Sequence, residues 1–128
     1  MDPSLSLTRL IRRMLWRRLG AEARGTKLLK ENLSPAQLQQ YRQYRHFDVI
    51  GGQTGKRYCI RPATSLNIDE YSAEGGKVTC WCFEPEGHLA IGDVMLAQKL
   101  ALELFEDDAL AIAYRLPPSR GKKGSFRF

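Results

Sequence analysis

Between Leu7 and Leu19 apolar residues return at Leu10, Ile11, Met14 and Leu15, with Arg9, Arg12, Arg13 and Arg17 filling the positions between them. Spacings of three and four match the turn of a helix, so the stretch predicts a basic amphipathic helix. Its division is imperfect, because Arg18 falls on the apolar side and Trp16 on the polar one. Gly20 and Gly25 are expected to interrupt the pattern, and Lys27 to Leu33 then supplies a short helical run with Leu28, Leu29 and Leu33. A clearer helix start follows. Ser34 offers an N-cap oxygen, Pro35 sits where a missing N–H costs nothing, and Gln37 completes a capping box. Leu38, Tyr41 and Tyr44 form the inward stripe of this helix.

From Phe47 the period falls to two. Phe47–Ile50, Arg57–Arg61, Leu66–Tyr71 and Lys77–Phe83 read as strands, separated by turns such as Gly51-Gly52-Gln53-Thr54-Gly55 and Ala73-Glu74-Gly75-Gly76, the pattern of an antiparallel meander. The last strand is apolar on both faces, with Val78, Cys80 and Cys82 on one and Thr79, Trp81 and Phe83 on the other, so it belongs under cover. Glu84-Pro85-Glu86-Gly87 ends it. Asp93 is placed to cap a helix from Val94 whose interior face runs through Leu96, Leu100 and Leu104, leaving Gln98, Lys99 and Glu103 in water. Glu106-Asp107-Asp108 then opens a short helix through Ala109–Leu116, stopped by Pro117-Pro118.

These elements predict an α+β fold: N-terminal helices, a four-stranded antiparallel meander, and a C-terminal helix packed on the sheet. With 128 residues there is material for one core. The expected organisation is a basic helical arm over residues 1–33, a single domain over 34–116, and a basic disordered tail over 117–128.

Charge changes the picture, because the net +6 is unevenly placed. Residues 1–30 carry eight Lys/Arg against two acids, residues 47–116 six against eleven, and residues 117–128 four against none. An acidic middle between basic ends assigns any polyanion contact to the ends. The expected contact residues are Arg9, Arg12, Arg13, Arg17 and Arg18 with Arg120, Lys122, Lys123 and Arg127, and Trp16, Phe126 and Phe128 are available to stack on unpaired bases. Three other roles compete for the N-terminal helix: packing on the domain or on a protein partner, lying on a membrane surface, or serving as an organellar transit peptide. Arginines break what a secretory signal would need as a continuous apolar stretch, and no apolar run is long enough to span a membrane. Three cysteines are too few for a disulfide framework, so reduced thiols and a cytoplasmic location are expected.

Candidate chemistry is sparse. Gly51 to Lys56 has a phosphate-loop look, but the spacing is one residue short, Arg57 stands where Ser or Thr should bind magnesium, and a strand follows in place of a helix. It reads as a hairpin turn. Cys82 and His88 have no third group to orient them, and His46, Glu103, Glu106, Asp107 and Asp108 read as solvated surface, so the protein is not expected to be an enzyme. The one metal-capable set is Cys59, Cys80, Cys82 and His88.

Tyr58-x-Ile60, a hairpin, Cys80-x-Cys82 and then a helix with an alanine-rich face resemble the SWIM zinc module, a strand-strand-helix unit that binds DNA or proteins. In that module a second pair, Cys-x-His, opens the helix. Here Gly92, Asp93 and Val94 stand near that place, and His88 precedes it without a cysteine two residues earlier. The resemblance therefore implies a metal-free relative with its cysteines as small core residues, and no cofactor, in preference to a zinc-binding one. The helix start Asp-x-Met-Leu-Ala-x-Lys at Asp93 to Lys99 is also similar to that of small uncharacterised bacterial proteins. The combined expectation is a small non-enzymatic binding or adaptor protein whose basic arms contact nucleic acid. Its alternatives are a subunit packed on a protein partner through the N-terminal helix, and a zinc-binding SWIM-like module.

Overall fold

The computed structural model describes residues 3–63, 65–83, 87 and 89–116. In chain order the elements are α1 (Pro3–Glu31), α2 (Pro35–Tyr44), β1 (Phe47–Ile50), β2 (Arg57–Ile60), β3 (Ile68–Tyr71), β4 (Lys77–Cys82), α3 (Ile91–Ile112) and β5 (Tyr114–Leu116). The first four strands form the antiparallel meander, and β5 adds a fifth strand beside β4. The fold is thus α+β, with α3 packed on the sheet.

Alternation decides which side of the sheet is the core. Phe47 pairs with Ile60, Ile60 with Ile68 and Ile68 with Trp81, so one apolar rung crosses four strands. Phe47, Ile60 and Ile68 join Val49, Tyr58 and Phe83 in one cluster with Met95, Leu96, Leu102 and Ala109 of α3, and Trp81 packs partly buried against it. Tyr41 closes the cluster from α2, edge-on to Phe47 with ring centroids 6.3 Å apart. Ser34 caps α2 as its sequence predicts. Its hydroxyl accepts from the Gln37 backbone N–H at 3.2 Å while the Gln37 side-chain oxygen, Oε1, accepts from the Ser34 N–H at 3.0 Å.

Four details depart from the expected pattern, each for a tertiary reason. First, α1 runs unbroken through Gly20 and Gly25. Gly25 lies where α1 crosses the start of α3, and a Cβ there would come within 2.9 Å of the Ala90 Cβ; one on Gly92 would overlap the Gly25 backbone. Close packing outweighs the roughly 1 kcal/mol that glycine costs a helix interior. Second, α3 starts at Ile91, and Asp93 is not its cap. Ala90 occupies that position with no side-chain bond, and Glu22 of α1 accepts the Ile91 N–H at 3.2 Å instead.

Third, the buried face of α3 is not the leucine stripe. Leu100 and Leu104 are 42% and 62% exposed, whereas Gln98, Lys99 and Glu106 are buried. The polar residues go in because partners wait for them. Gln98 exchanges two amide bonds with Asn67, at 2.8 and 2.9 Å, and donates to the Phe83 carbonyl at 2.9 Å, while Lys99 pairs with Glu103 at 2.8 Å. Fourth, the expected short helix over 109–116 is the end of α3 itself, kinked at Phe105 (φ −139°, ψ 43°), and the chain leaves it as strand β5.

Candidate nucleic-acid interface

A straight helix of the length of α1 reaches about 44 Å at 1.5 Å per residue. Only its second half is held by the domain. Leu29 is fully buried in the core, which stabilises the anchor by about 1.5–3 kcal/mol. Gly25 and Glu22 secure the crossing over α3. By contrast, every residue from Ser6 to Leu19 is exposed, so this half projects as a free-standing rod.

At about 100° per residue the rod has two opposed faces. Leu7, Ile11, Met14 and Arg18 lie along one line, and that line continues into Gly25 and Leu29, the residues that pack on the domain. On the far side Arg12, Arg9, Arg13 and Arg17 form a basic arc, with Trp16 between Arg12 and Arg9. Trp16 is 73% exposed, the most open large apolar side chain among the described residues. Among the described residues none of these four arginines enters an ion pair. Arg18, expected with them, stands on the apolar line and away from the arc. Arg120, Lys122, Lys123 and Arg127, with Phe126 and Phe128, lie outside the described residues.

The domain's own polar groups are spent differently. Glu106, expected at the surface, is fully buried and is the hub of the β1–β2 turn. One of its oxygens accepts the N–H groups of Gln53 (3.0 Å) and Thr54 (2.8 Å); the other accepts the hydroxyls of Thr54 (2.5 Å) and Tyr58 (2.6 Å). Burial opposes its ionisation, but the bonds from Thr54, Tyr58 and the backbone prevail and hold its pKa below the usual carboxylate value. Tyr58 is pushed the other way, by burial first and then by Glu106. Gly51 and Gly52 of the turn are both required: a Cβ on Gly51 would meet the Glu106 carboxylate, and one on Gly52 the Glu103 carbonyl. The turn that looks like a phosphate loop therefore does bind an anion, and the anion is the protein's own.

On the opposite sheet face a second rung runs Asp48, Cys59, Asp69, Cys80. Asp69 separates the two cysteines by a full strand, so their backbones stand about 9–10 Å apart, while zinc needs sulfurs about 2.3 Å from the ion. Asp69 is engaged by Arg61 at 2.9 Å and Lys77 at 3.1 Å. Although burial opposes it, these bonds hold its pKa low. Burial, then Asp48 and Asp69, pushes the Cys59 thiol up to about 11, and burial likewise raises Cys80, so both are neutral thiols at pH 7. Cys82 is half-buried, with its sulfur 3.5 Å from the Ser65 hydroxyl. His88 lies outside the described residues, and among the described residues no three His, Cys, Asp or Glu side chains are grouped to hold a metal ion.

An open groove of about 630 Å³ lies between α1 and α2, lined by Lys27, Lys30 and Arg42 but also by Glu22 and Glu31. Nothing local in the sequence marks it, because it exists only where the two helices meet, and its near-balanced charge gives no strong pull on an anion. No described helix is long and apolar enough to cross a membrane. No family model matches the chain, and neither a curated protein nor a solved structure gives a significant match.

Proposed function

We propose that this is a non-enzymatic nucleic-acid-binding protein in which the projecting half of α1 is the contact element. The observation that carries the reading is the exposed arc Arg9, Arg12, Arg13 and Arg17 around an open Trp16, on the helix face turned away from the domain packing. Guanidinium groups along one side of a rod neutralise successive phosphates, and an indole among them stacks on an unpaired base. A bilayer would take the opposite, apolar face and leave Trp16 in water, which makes nucleic acid the better match to this arrangement. Such contacts follow the backbone and give little sequence discrimination. In this reading the basic residues Arg120, Lys122, Lys123 and Arg127 add further phosphate contacts.

The test is a titration of single- and double-stranded DNA and RNA across a salt series. Each phosphate contact adds about 0.7 to the log–log salt slope on single strands and about 0.9 on duplex DNA, so replacing the four arc arginines by glutamine should flatten the slope by about 3 to 4. Trp16→Ala should weaken binding to single strands about tenfold or more and barely alter binding to duplex, the signature of base stacking. An unchanged slope in the four-arginine variant would refute the reading.

A further inference from the structure

The nucleic-acid reading uses one side of α1 and leaves the other bare. Leu7, Leu10, Ile11, Met14 and Leu15 are 49–60% exposed on the side of the helix that, about three turns later, packs on α3 through Gly25 and Leu29. A contiguous apolar stripe of this length marks an interaction surface. The molecule carries a second bare strip on the outer side of α3, where Leu100, Leu104 and the kinked Phe105 are 42%, 62% and 59% exposed beside the exposed Asp107 and Asp108.

We propose that the apolar face of the projecting half of α1 docks on the outer face of α3 in a second copy of this chain. Three observations converge on that occupant. The same face of α1 already packs on α3 within the chain, so the contact extends an existing helix pairing to a neighbour. The charges at the two patches are complementary: Arg18 stands exposed in the apolar line of α1, and the exposed Asp107 and Asp108 lie beside the strip on α3. The two obvious rivals fail on geometry and charge. A continuous helix cannot fold its first half back onto the outer face of its own α3, and pairing α1 with α1 would set Arg18, which stands in the stripe, against a helix that carries no acid before Glu22. A two-fold exchange uses each patch once per copy and satisfies both at once. It also doubles the area of a single helix-on-helix contact, which a stable interface of about 1,200–2,000 Å² needs.

The test is the mass of the full-length protein by sedimentation and light scattering at rising concentration, after nuclease treatment. The expected result is twice the 14.6 kDa chain mass. Met14→Glu and Leu104→Arg, each at an exposed site and checked for an unchanged melting transition, should separately weaken self-association at least tenfold. Met14→Glu should meanwhile keep the salt slope for DNA, because the arginine arc is on the other face. A monomer at every concentration up to about 100 μM overturns the proposal. So does a dimer broken by Met14→Glu but indifferent to Leu104→Arg, which would mean that α1 pairs with α1. Binding of the monomer to anionic vesicles through Met14 would also overturn it and assign the stripe to a membrane.

Discussion

The two ends of α1 belong to the same helix and live in different worlds. Around Gly25 and Leu29 every feature is answered by a neighbour: the glycine by Ala90, Leu29 by the core, Glu22 by the bare N–H of Ile91. From Ser6 to Leu19 every residue faces solvent, and among the described residues Arg9, Arg12, Arg13 and Arg17 enter no ion pair. The domain repeats the first pattern at a larger scale, since its buried Glu106, Gln98, Asn67 and Asp69 all have full sets of partners within the chain. Polar groups satisfied in this way hold a fold together and have little left to offer a ligand.

The sharpest way to break this comparison is to strip the domain of one satisfied group. Glu106→Leu strands two backbone N–H groups and two hydroxyls in a buried site and should cost about 3–5 kcal/mol in chemical denaturation. Glu106→Gln should cost much less, about 1–2 kcal/mol, because an amide oxygen can keep both N–H bonds while its NH₂ donates to hydroxyls that can turn. The pH dependence follows from sign. The Glu106 pKa is lower folded than unfolded, so its contribution is complete above the ordinary carboxylate value and drains away as pH falls through the folded one. Acid unfolding of Glu106→Gln should accordingly be shallower than that of the parent.

A second pair of variants tests the face of α3. Leu102→Ala removes a fully buried side chain and should lose about 2–5 kcal/mol, whereas Leu100→Ala, 42% exposed, should lose under about 1 kcal/mol in the isolated monomer. Equal losses would mean that the helix is rotated. Third, Gly92→Ala forces a methyl into the Gly25 backbone and should cost about 1–3 kcal/mol. At the small end, glutamine at Arg9, Arg12, Arg13 and Arg17 should leave stability within about 0.5 kcal/mol per site while flattening the salt slope of nucleic-acid binding by about 3 to 4. A large loss of stability there would place the rod inside the fold and end the contrast.

Local signals in the sequence were enough for the capping box at Ser34, the four meander strands and the existence of α3, because each is written within a few neighbouring residues. The inner face of α3 was not legible. Leu96, Leu100 and Leu104 make a better apolar line than the face that is buried, and what tips the helix over are partners of Gln98 and Glu106 that lie 31 and about 50 residues away. The same distance hid the meeting of Gly25 with Gly92, which on one stretch of chain looks like an interruption. In the candidate interface the alternation of arginine and leucine was plain. The place of Arg18 on the apolar side was legible as well, and what only the structure adds is that the apolar line is continuous with the packing of Leu29.

The β1–β2 turn closed on Glu106 also bears on the order in which the chain assembles. A tight turn between neighbouring strands ordinarily forms early, since it closes a short loop. Here Gly51 and Gly52 are selected for a carboxylate and a carbonyl delivered by a helix about fifty residues downstream, so the turn cannot reach its final shape until α3 has docked. The amide protons of Gln53 and Thr54, each bonded to Glu106, are then clocks for that docking. In pulsed hydrogen exchange they should become protected together with the amides of α3, and later than those of the strands on either side.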